Sequence, residues 1–87
     1  MLRVITCNTN GIRAAHRKGF FNWLSDNNPD IVCIQETKAH IDQLTDTVFQ
    51  PEGYYCRYND AERRGYSGTA LFSKVKPIRF IDRLGWD

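Results

Sequence analysis

The sequence lacks any long apolar run, which limits how it can relate to a membrane. Its longest uninterrupted apolar stretch is Ile31 to Ile34, whereas a helix that spans a bilayer needs about 20 such residues. The first residues, Met1 to Val4, also lack the extended apolar segment of a secretory signal peptide. We therefore expect a cytoplasmic protein with no membrane partner.

Cysteine is scarce as well. The three cysteines, Cys7, Cys33 and Cys56, are odd in number and far apart, so neither a disulfide framework nor a C-x-x-C zinc site fits them. Each lies in an apolar or aromatic stretch, which predicts buried structural thiols.

The chain has no large excess of charge of either sign. Its net charge of +2 is too small to indicate a nucleic-acid partner. Basic residues nevertheless gather over 13–18 and at Arg63-Arg64, beside glycines, where we predict loops or helix starts. Both a solvated surface and a phosphate-binding surface fit these clusters. With 87 residues, 41% of them hydrophobic, the chain has the composition of a globular protein and the size of one domain or part of one.

The first third of the sequence predicts a βαβ unit. Alternating side chains predict a strand over 2–7, aromatic residues at helical spacing predict a helix over 17–26 that ends before Pro29, and the run at 30–35 predicts a strand covered on both faces. In such a unit the strands are parallel and the crossover is right-handed. Their carboxyl ends therefore reach the same edge of the sheet, where open α/β sheets bind ligands.

The remaining segments predict one short helix and three strands. Ile41, Leu44 and Val48 indicate a short amphipathic helix. Strands are predicted over 54–58, 69–73 and 78–81, with a long polar loop over 59–68.

Polar side chains follow both strands of the βαβ unit. A carboxylate at Glu36, just past a buried strand, fits a hard cation such as Mg²⁺ and equally fits an ion pair with Lys38 or an arginine. Asn8 and Asn10 fit the capping of a turn before Gly11, and with a nearby arginine they also fit the binding of phosphate oxygens. Position alone leaves these alternatives open.

Three segments of the sequence form a recognisable series: N-T-N-G-I-R-A-A from Asn8, I-Q-E-T-K from Ile34 and G-Y-S-G-T-A from Gly65. In order and spacing they resemble three successive motifs of the exonuclease III and apurinic/apyrimidinic endonuclease family. The resemblance covers nearly the whole chain. It implies that Glu36 is the metal-binding glutamate, that Asn8 belongs to the active-site hydrogen-bond network, and that Asn10 lies near the metal.

The resemblance also implies a DNA-binding surface. Arg13, Gly65 and Tyr66 match positions along the DNA backbone, and Lys38 matches a lysine beside the metal site. His16 and His40 match no motif of the family, and we expect both on the surface.

The fold implied by the resemblance is a four-layer α/β (α+β) sandwich of two β-sheets flanked by helices. Residues 1–87 would form the amino-terminal part of a single, truncated nuclease domain and supply chiefly one sheet. The family's catalytic tyrosine and its later Gly-Asp-x-Asn and Ser-Asp-His segments have no match in the sequence. We therefore expect the chain to depend on the remainder of its own domain and to be inactive alone.

The implied function is that of a DNA phosphodiesterase of base-excision repair with Mg²⁺, or Mn²⁺, as cofactor. It would act on double-stranded DNA at abasic sites and at 3′ ends. Two alternatives stay open: another phosphodiesterase of the same superfamily, such as a retroelement endonuclease or a phosphoinositide phosphatase, and a DNA-binding module without catalysis.

Overall fold

Residues 2–59 and 68–76 are described by a computed structural model. Its regular elements are, in chain order, β1 (Val4–Asn8), α1 (Ile12–Arg17), α2 (Phe20–Asn27), β2 (Ile31–Gln35), two 3₁₀ helices (Ile41–Gln43 and Thr47–Phe49), β3 (Tyr55–Asn59) and β4 (Thr69–Ser73). The described residues therefore form an α/β structure, as the sequence predicts.

The four strands form one mixed sheet in the order β1-β2-β4-β3. β1 and β2 run parallel, with Asn8 opposite Gln35, which confirms the predicted βαβ start. β4 is antiparallel to both of its neighbours, and its first residue, Thr69, lies beside Gln35. The carboxyl ends of β1 and β2 and the amino end of β4 therefore share one edge of the sheet.

The core lies on the face of the sheet that α1 and α2 cover. Val32 and Phe72 are fully buried there. The Phe72 ring lies 6.2 Å from the ring of Phe21 and 5.7 Å from that of Tyr58, between centroids. Offset and edge-to-face aromatic pairs at such distances add to the stabilisation that burial provides.

The opposite face of the sheet is only partly covered. Cys33 and Leu71 pair across β2 and β4 on this face and are half-buried, while Val4 and Tyr55 are 54% and 46% exposed. The described residues cover β2 on one face, and the expectation that its other face is covered as well stays a prediction. Its continuous apolar run places alternate side chains on two faces, and the described helices pack against only one of them.

The predicted helix over 17–26 corresponds to α2, and a second helix, α1, precedes it in the structure. Gly19 adopts a left-handed conformation, with φ 94°, and separates α1 from α2. With six residues and only Ile12 buried, α1 is too short to show a helical periodicity, and the sequence did not predict it. α2 ends as predicted: Asn28 is left-handed and immediately precedes Pro29.

Other boundaries differ by smaller amounts. The helix predicted around 41–48 is two separate 3₁₀ turns, because its apolar residues are too few to bury a continuous helical face. β1 and β3 begin later than predicted, whereas β4 has the predicted bounds. The strand predicted over 78–81 lies outside the described residues.

Both histidines are half-buried rather than on the surface. The His16 ring packs edge-on against Phe21 and Phe49, with centroids 5.7 and 5.6 Å away. The backbone N–H of His40 donates to the side chain of Gln43, at 2.9 Å, at the start of a 3₁₀ helix. The His16 ring therefore packs against the core and the His40 backbone helps to begin a 3₁₀ helix, roles that isolated residues in a sequence do not reveal.

The three cysteines are free, as predicted, but half-buried rather than fully buried. Cys7 and Cys56 pack against the core, and burial raises the pKa of both thiols, that of Cys56 to about 11. Among the described residues, no helix is long and apolar enough to cross a membrane.

Candidate active site

Backbone hydrogen bonds join the loop after β1 to the segment after β2. Together they extend the parallel pairing of the two strands beyond their ends. The bonds run from the N–H of Thr9 to the carbonyl of Gln35 at 3.1 Å, from Gly11 to Glu36 at 2.8 Å, and from Ile12 to Thr37 at 2.9 Å. The two polar segments are therefore held at a fixed separation.

Thr37 connects this pair of segments to β4. It is 1% exposed, its N–H donates to the carbonyl of Gly68 at 3.1 Å, and its carbonyl accepts from Ile12 at the start of α1. The hydroxyl of Thr9 adds a bond to the Glu36 carbonyl at 3.1 Å. Three elements of the fold thus fix the backbone on both sides of Glu36.

The site contains residues in an unfavourable backbone conformation. Asn10, Glu36 and Lys38 have φ values of 47°, 55° and 52°, in the left-handed region that glycine prefers. Three of the four described non-glycine residues with positive φ are therefore in this one place. Such residues cost on the order of 1–3 kcal/mol each and persist only where the surrounding structure enforces them. The bonds of Thr37 and Gly11 supply that constraint.

Four residues form a closed ring of polar contacts, made by their side chains and by the backbone N–H of Asn10. The Asn8 amide donates to Oε2 of Glu36, and its oxygen accepts from the N–H of Asn10 at 2.8 Å. Nζ of Lys38 donates to Oδ1 of Asn10 at 2.5 Å and lies 3.8 Å from Oε1 of Glu36. The structure therefore brings together Asn8, Asn10, Glu36 and Lys38, the four residues that the sequence analysis placed at or beside the metal site.

The side-chain oxygen atoms of this ring are suitable ligands for a hard cation. Oε1 of Glu36 and Oδ1 of Asn10 both approach one ammonium group, that of Lys38, so two oxygen ligands converge where a positive charge already lies. Mg²⁺ is commonly held by one or two carboxylates with water and phosphate. No cluster of three His, Cys, Asp or Glu side chains occurs within the described ranges. From these ranges an ion would receive one carboxylate and one amide oxygen.

The structure also contains the ion pair between Glu36 and Lys38 that the sequence left open as an alternative to a metal site. The two side chains are 42% and 35% exposed, and exposed pairs contribute only about 0–1 kcal/mol. This is less than the cost of the left-handed conformation at both residues. Stability therefore does not account for the arrangement.

A cationic cavity of about 380 Å³ adjoins the ring. It is lined by Arg13, Arg17 and Lys38, together with Gly11 and Ala14. Arg13 and Arg17 lie one helical turn apart on α1 and so face the same side. No carboxylate of the described residues lines the cavity, which therefore suits an anion such as phosphate. The sequence placed Arg17 in the basic cluster over 13–18, for which a solvated surface and a phosphate-binding surface both stayed open, and did not assign it to the site.

A second cavity, of about 410 Å³, is lined in part by Asn8 and Asn10. Its walls include Lys18 and the stacked rings of Phe20 and Trp23, whose centroids are 6.1 Å apart. The sequence indicated these aromatic residues only as part of a helix. Their position near the ring follows from the break between α1 and α2.

Two of the predicted DNA-binding residues, Gly65 and Tyr66, lie outside the described residues. Their roles stay predictions.

Comparison with known proteins identifies the family to which the chain belongs. Residues 5–86 match the Endonuclease/Exonuclease/phosphatase family, and the chain belongs to that family. The predicted resemblance is thereby confirmed.

Two curated relatives are both nucleases by name. The chain is 42% identical to an exodeoxyribonuclease of Bacillus subtilis over 97% of its own length and 32% of the relative's. It is 32% identical to a DNA-(apurinic or apyrimidinic site) endonuclease of Dictyostelium discoideum over 87% of its own length and 21% of the relative's. The chain thus spans about a third or less of the length of these relatives.

Solved structures agree with this assignment. An AP endonuclease from Archaeoglobus fulgidus superposes on 88% of the chain with a TM-score of 0.75 and 34% identity, and 29% of its own length is covered. A 3′ phosphatase from Neisseria bound to a product DNA hairpin superposes on 90% of the chain with a TM-score of 0.73 and 28% identity, with 29% of its own length covered. These similarities confirm the α/β fold class.

Proposed function

We propose that the protein is a Mg²⁺-dependent DNA phosphodiesterase of base-excision repair, which cuts at abasic sites and removes nucleotides from 3′ ends. One observation carries the proposal: oxygen atoms of Glu36 and Asn10 converge on a cation position beside a cavity lined by three positive side chains. The names of the relatives, an exodeoxyribonuclease and an endonuclease for apurinic or apyrimidinic sites, support it.

Each residue of the site has a distinct task in this reaction. Glu36 and Asn10 would hold the metal ion, which supplies positive charge to a phosphate oxygen when bound. Asn8 orients the Glu36 carboxylate through its amide and, through its oxygen, fixes the backbone of Asn10. We assign no described residue as the base that activates water.

The cationic cavity would bind the DNA backbone. Arg13 and Arg17 present guanidinium groups, which bind phosphate oxygens through paired hydrogen bonds. Contacts of this kind position a nucleic acid without reading its sequence. They suit an enzyme that must act on a lesion wherever it occurs.

The decisive experiment is Glu36→Gln in the full-length protein. It keeps the shape of the side chain and removes the charge that attracts a metal ion. We expect cleavage of an abasic duplex with Mg²⁺ to fall at least about 100-fold, since mutation of groups that only support a metal already costs roughly 10- to 100-fold. Binding of the same duplex, measured by fluorescence anisotropy, should persist because Arg13 and Arg17 are unchanged.

The matched control is Glu52→Gln, an exposed carboxylate in the turn before β3, which should cut at the wild-type rate. Unchanged cleavage by the Glu36 variant would contradict the role of Glu36, whereas a wild-type protein that binds the duplex without cutting it would favour a DNA-binding module. We also propose that residues 1–87 alone do not cut, because the family's catalytic tyrosine and its Gly-Asp-x-Asn and Ser-Asp-His segments have no match in this sequence. Glu36-dependent turnover by the isolated polypeptide in the same assay would refute that part.

A further inference from the structure

Lys38 lies at the boundary between two parts of the site. Its ammonium group is 2.5 Å from Oδ1 of Asn10 and 3.8 Å from Oε1 of Glu36, the two oxygens that would hold a metal ion. The same side chain lines the cavity of Arg13 and Arg17. One positive charge therefore borders both the proposed metal position and the proposed phosphate position.

The ammonium group and a divalent cation cannot both stay where they are. They would compete for the same carboxylate and amide oxygens, and like charges a few ångströms apart repel. A lysine ends in a compact charge on a flexible four-carbon stem. Lys38 is 35% exposed, so its side chain has room to move while the backbone bonds of the preceding residue, Thr37, hold the chain in place.

We propose that Lys38 is an internal counter-ion that holds the cation position of the site until a divalent ion enters. Its ammonium group then turns into the cavity of Arg13 and Arg17 and becomes a third cationic ligand for a phosphate group. The inference rests on the proposed function, because it requires a metal ion at Glu36. It makes the affinity of the cavity for phosphate depend on whether the metal is bound.

The first test compares Mn²⁺ binding to wild-type protein and to Lys38→Gln by isothermal titration calorimetry. Removing the competing charge should tighten Mn²⁺ binding by roughly five- to tenfold, given the size of charge interactions at about 4 Å in a solvated site. Lys38→Arg, which keeps the charge, should bind as wild type does. Lys76→Gln should also have no effect, since this exposed residue follows the opposite end of β4.

The sign of the effect separates this role from a structural one. If Lys38 served only to hold Asn10 in place, its loss would weaken metal binding. Weaker or unchanged binding in Lys38→Gln would therefore overturn the proposal.

The second test measures binding of inorganic phosphate with and without Mg²⁺. Without metal, Lys38 is engaged by Glu36 and Asn10, so Lys38→Gln and the wild type should bind phosphate alike. With metal, the variant should bind phosphate several-fold more weakly than the wild type. An equal loss in both conditions would show that Lys38 serves the cavity permanently, and no loss in either would show that it never does; both results overturn the proposal.

Glu36→Gln distinguishes this inference from the proposed function. If wild-type protein shows no Glu36-dependent binding of Mn²⁺, both proposals fail. If that binding is present but does not respond to Lys38→Gln, only the role of Lys38 fails.

Discussion

At the scale of single residues, Asn8 determines how the Glu36 carboxylate is held. Replacing it with alanine removes a donor to Oε2 of Glu36 and an acceptor for the N–H of Asn10. We expect Asn8→Ala to weaken Mn²⁺ binding or kcat/KM by about 10- to 100-fold, the range seen for groups that support metal ligands. The fold should be little affected because Asn8 is exposed.

Calorimetry and steady-state kinetics would check this, with Asn22→Ala on the exposed side of α2 as the control. A metal affinity within twofold of wild type in Asn8→Ala would contradict the supporting role.

The thiol of Cys56 gives the protein a predictable response to alkaline pH. Burial raises its pKa from 9.0 to about 11, so between these values the thiol is protonated when folded and ionised when unfolded. Its contribution to stability is therefore complete below pH 9 and is lost as the pH rises towards 11. Urea unfolding at a series of pH values should show this decline, and Cys56→Ala should show a shallower one.

Other buried groups account for the fall of unfolding free energy with pH that remains in Cys56→Ala. Burial also raises the pKa of Cys7, Tyr54 and Tyr58, which act in the same direction. Identical slopes for wild type and Cys56→Ala between pH 9 and 11 would contradict the assignment to Cys56.

At the scale of elements, the turn between β1 and α1 depends on a glycine. Gly11 has φ 103°, and an added Cβ would meet no atom within 4 Å, so alanine there brings backbone strain without a steric clash. Gly53, with φ 88°, is also free of neighbours within 4 Å. We expect each alanine variant to lose about 1–2 kcal/mol of unfolding free energy, the cost of a left-handed residue with a side chain.

Only Gly11→Ala should also weaken Mn²⁺ binding, because backbone strain at residue 11 would displace the N–H that donates to the Glu36 carbonyl. Chemical denaturation of both variants measures the loss of unfolding free energy, and calorimetry measures their affinities for Mn²⁺. Equal metal affinities would show that the turn does not position Glu36.

The elements also show what could be predicted from the sequence. β2 and β4 were placed closely because their side-chain patterns are strong, and the parallel pairing of β1 with β2 followed from the order of elements. From that pairing, the neighbourhood of Asn8 and Glu36 could be predicted. Helix α1 could not be predicted, because a six-residue helix with one buried side chain shows no helical periodicity of apolar residues.

The left-handed conformation of Glu36 and Lys38 was also beyond prediction. Neither residue type prefers it, and it is imposed by hydrogen bonds from segments distant in the chain, at Gly11 and Gly68. Arg17 joined the site for a related reason: its position depends on α1, the element that the sequence did not reveal.

At the scale of the whole molecule, the two faces of the sheet differ in what covers them. Phe72 and Leu71 are neighbours on β4 that point to opposite faces; Phe72 is fully buried and Leu71 is half-buried. The fold implied by the family resemblance places a second sheet over the Leu71 face. We therefore expect Leu71→Ala in the full-length protein to cost about 2–5 kcal/mol, as buried leucines do.

Denaturant unfolding would measure this cost against Gln50→Ala, an exposed residue outside the sheet, where changes of about 0.5 kcal/mol or less are usual. A cost for Leu71→Ala as small as that of the control would mean that water, rather than a second layer, covers this face.

The bonds of Thr37 have a consequence for protein engineering. Gly68 and Ile12 form hydrogen bonds with Thr37 from two sides. The surrounding fold, rather than the tetrapeptide Q-E-T-K itself, therefore determines the orientations of the neighbouring Glu36 and Lys38 side chains. Grafting those four residues onto the strand end of a foreign scaffold would let both backbones relax to right-handed or extended conformations. The transplanted carboxylate and amine would then point apart, and a designer would need to copy the neighbouring turn and strand along with the motif.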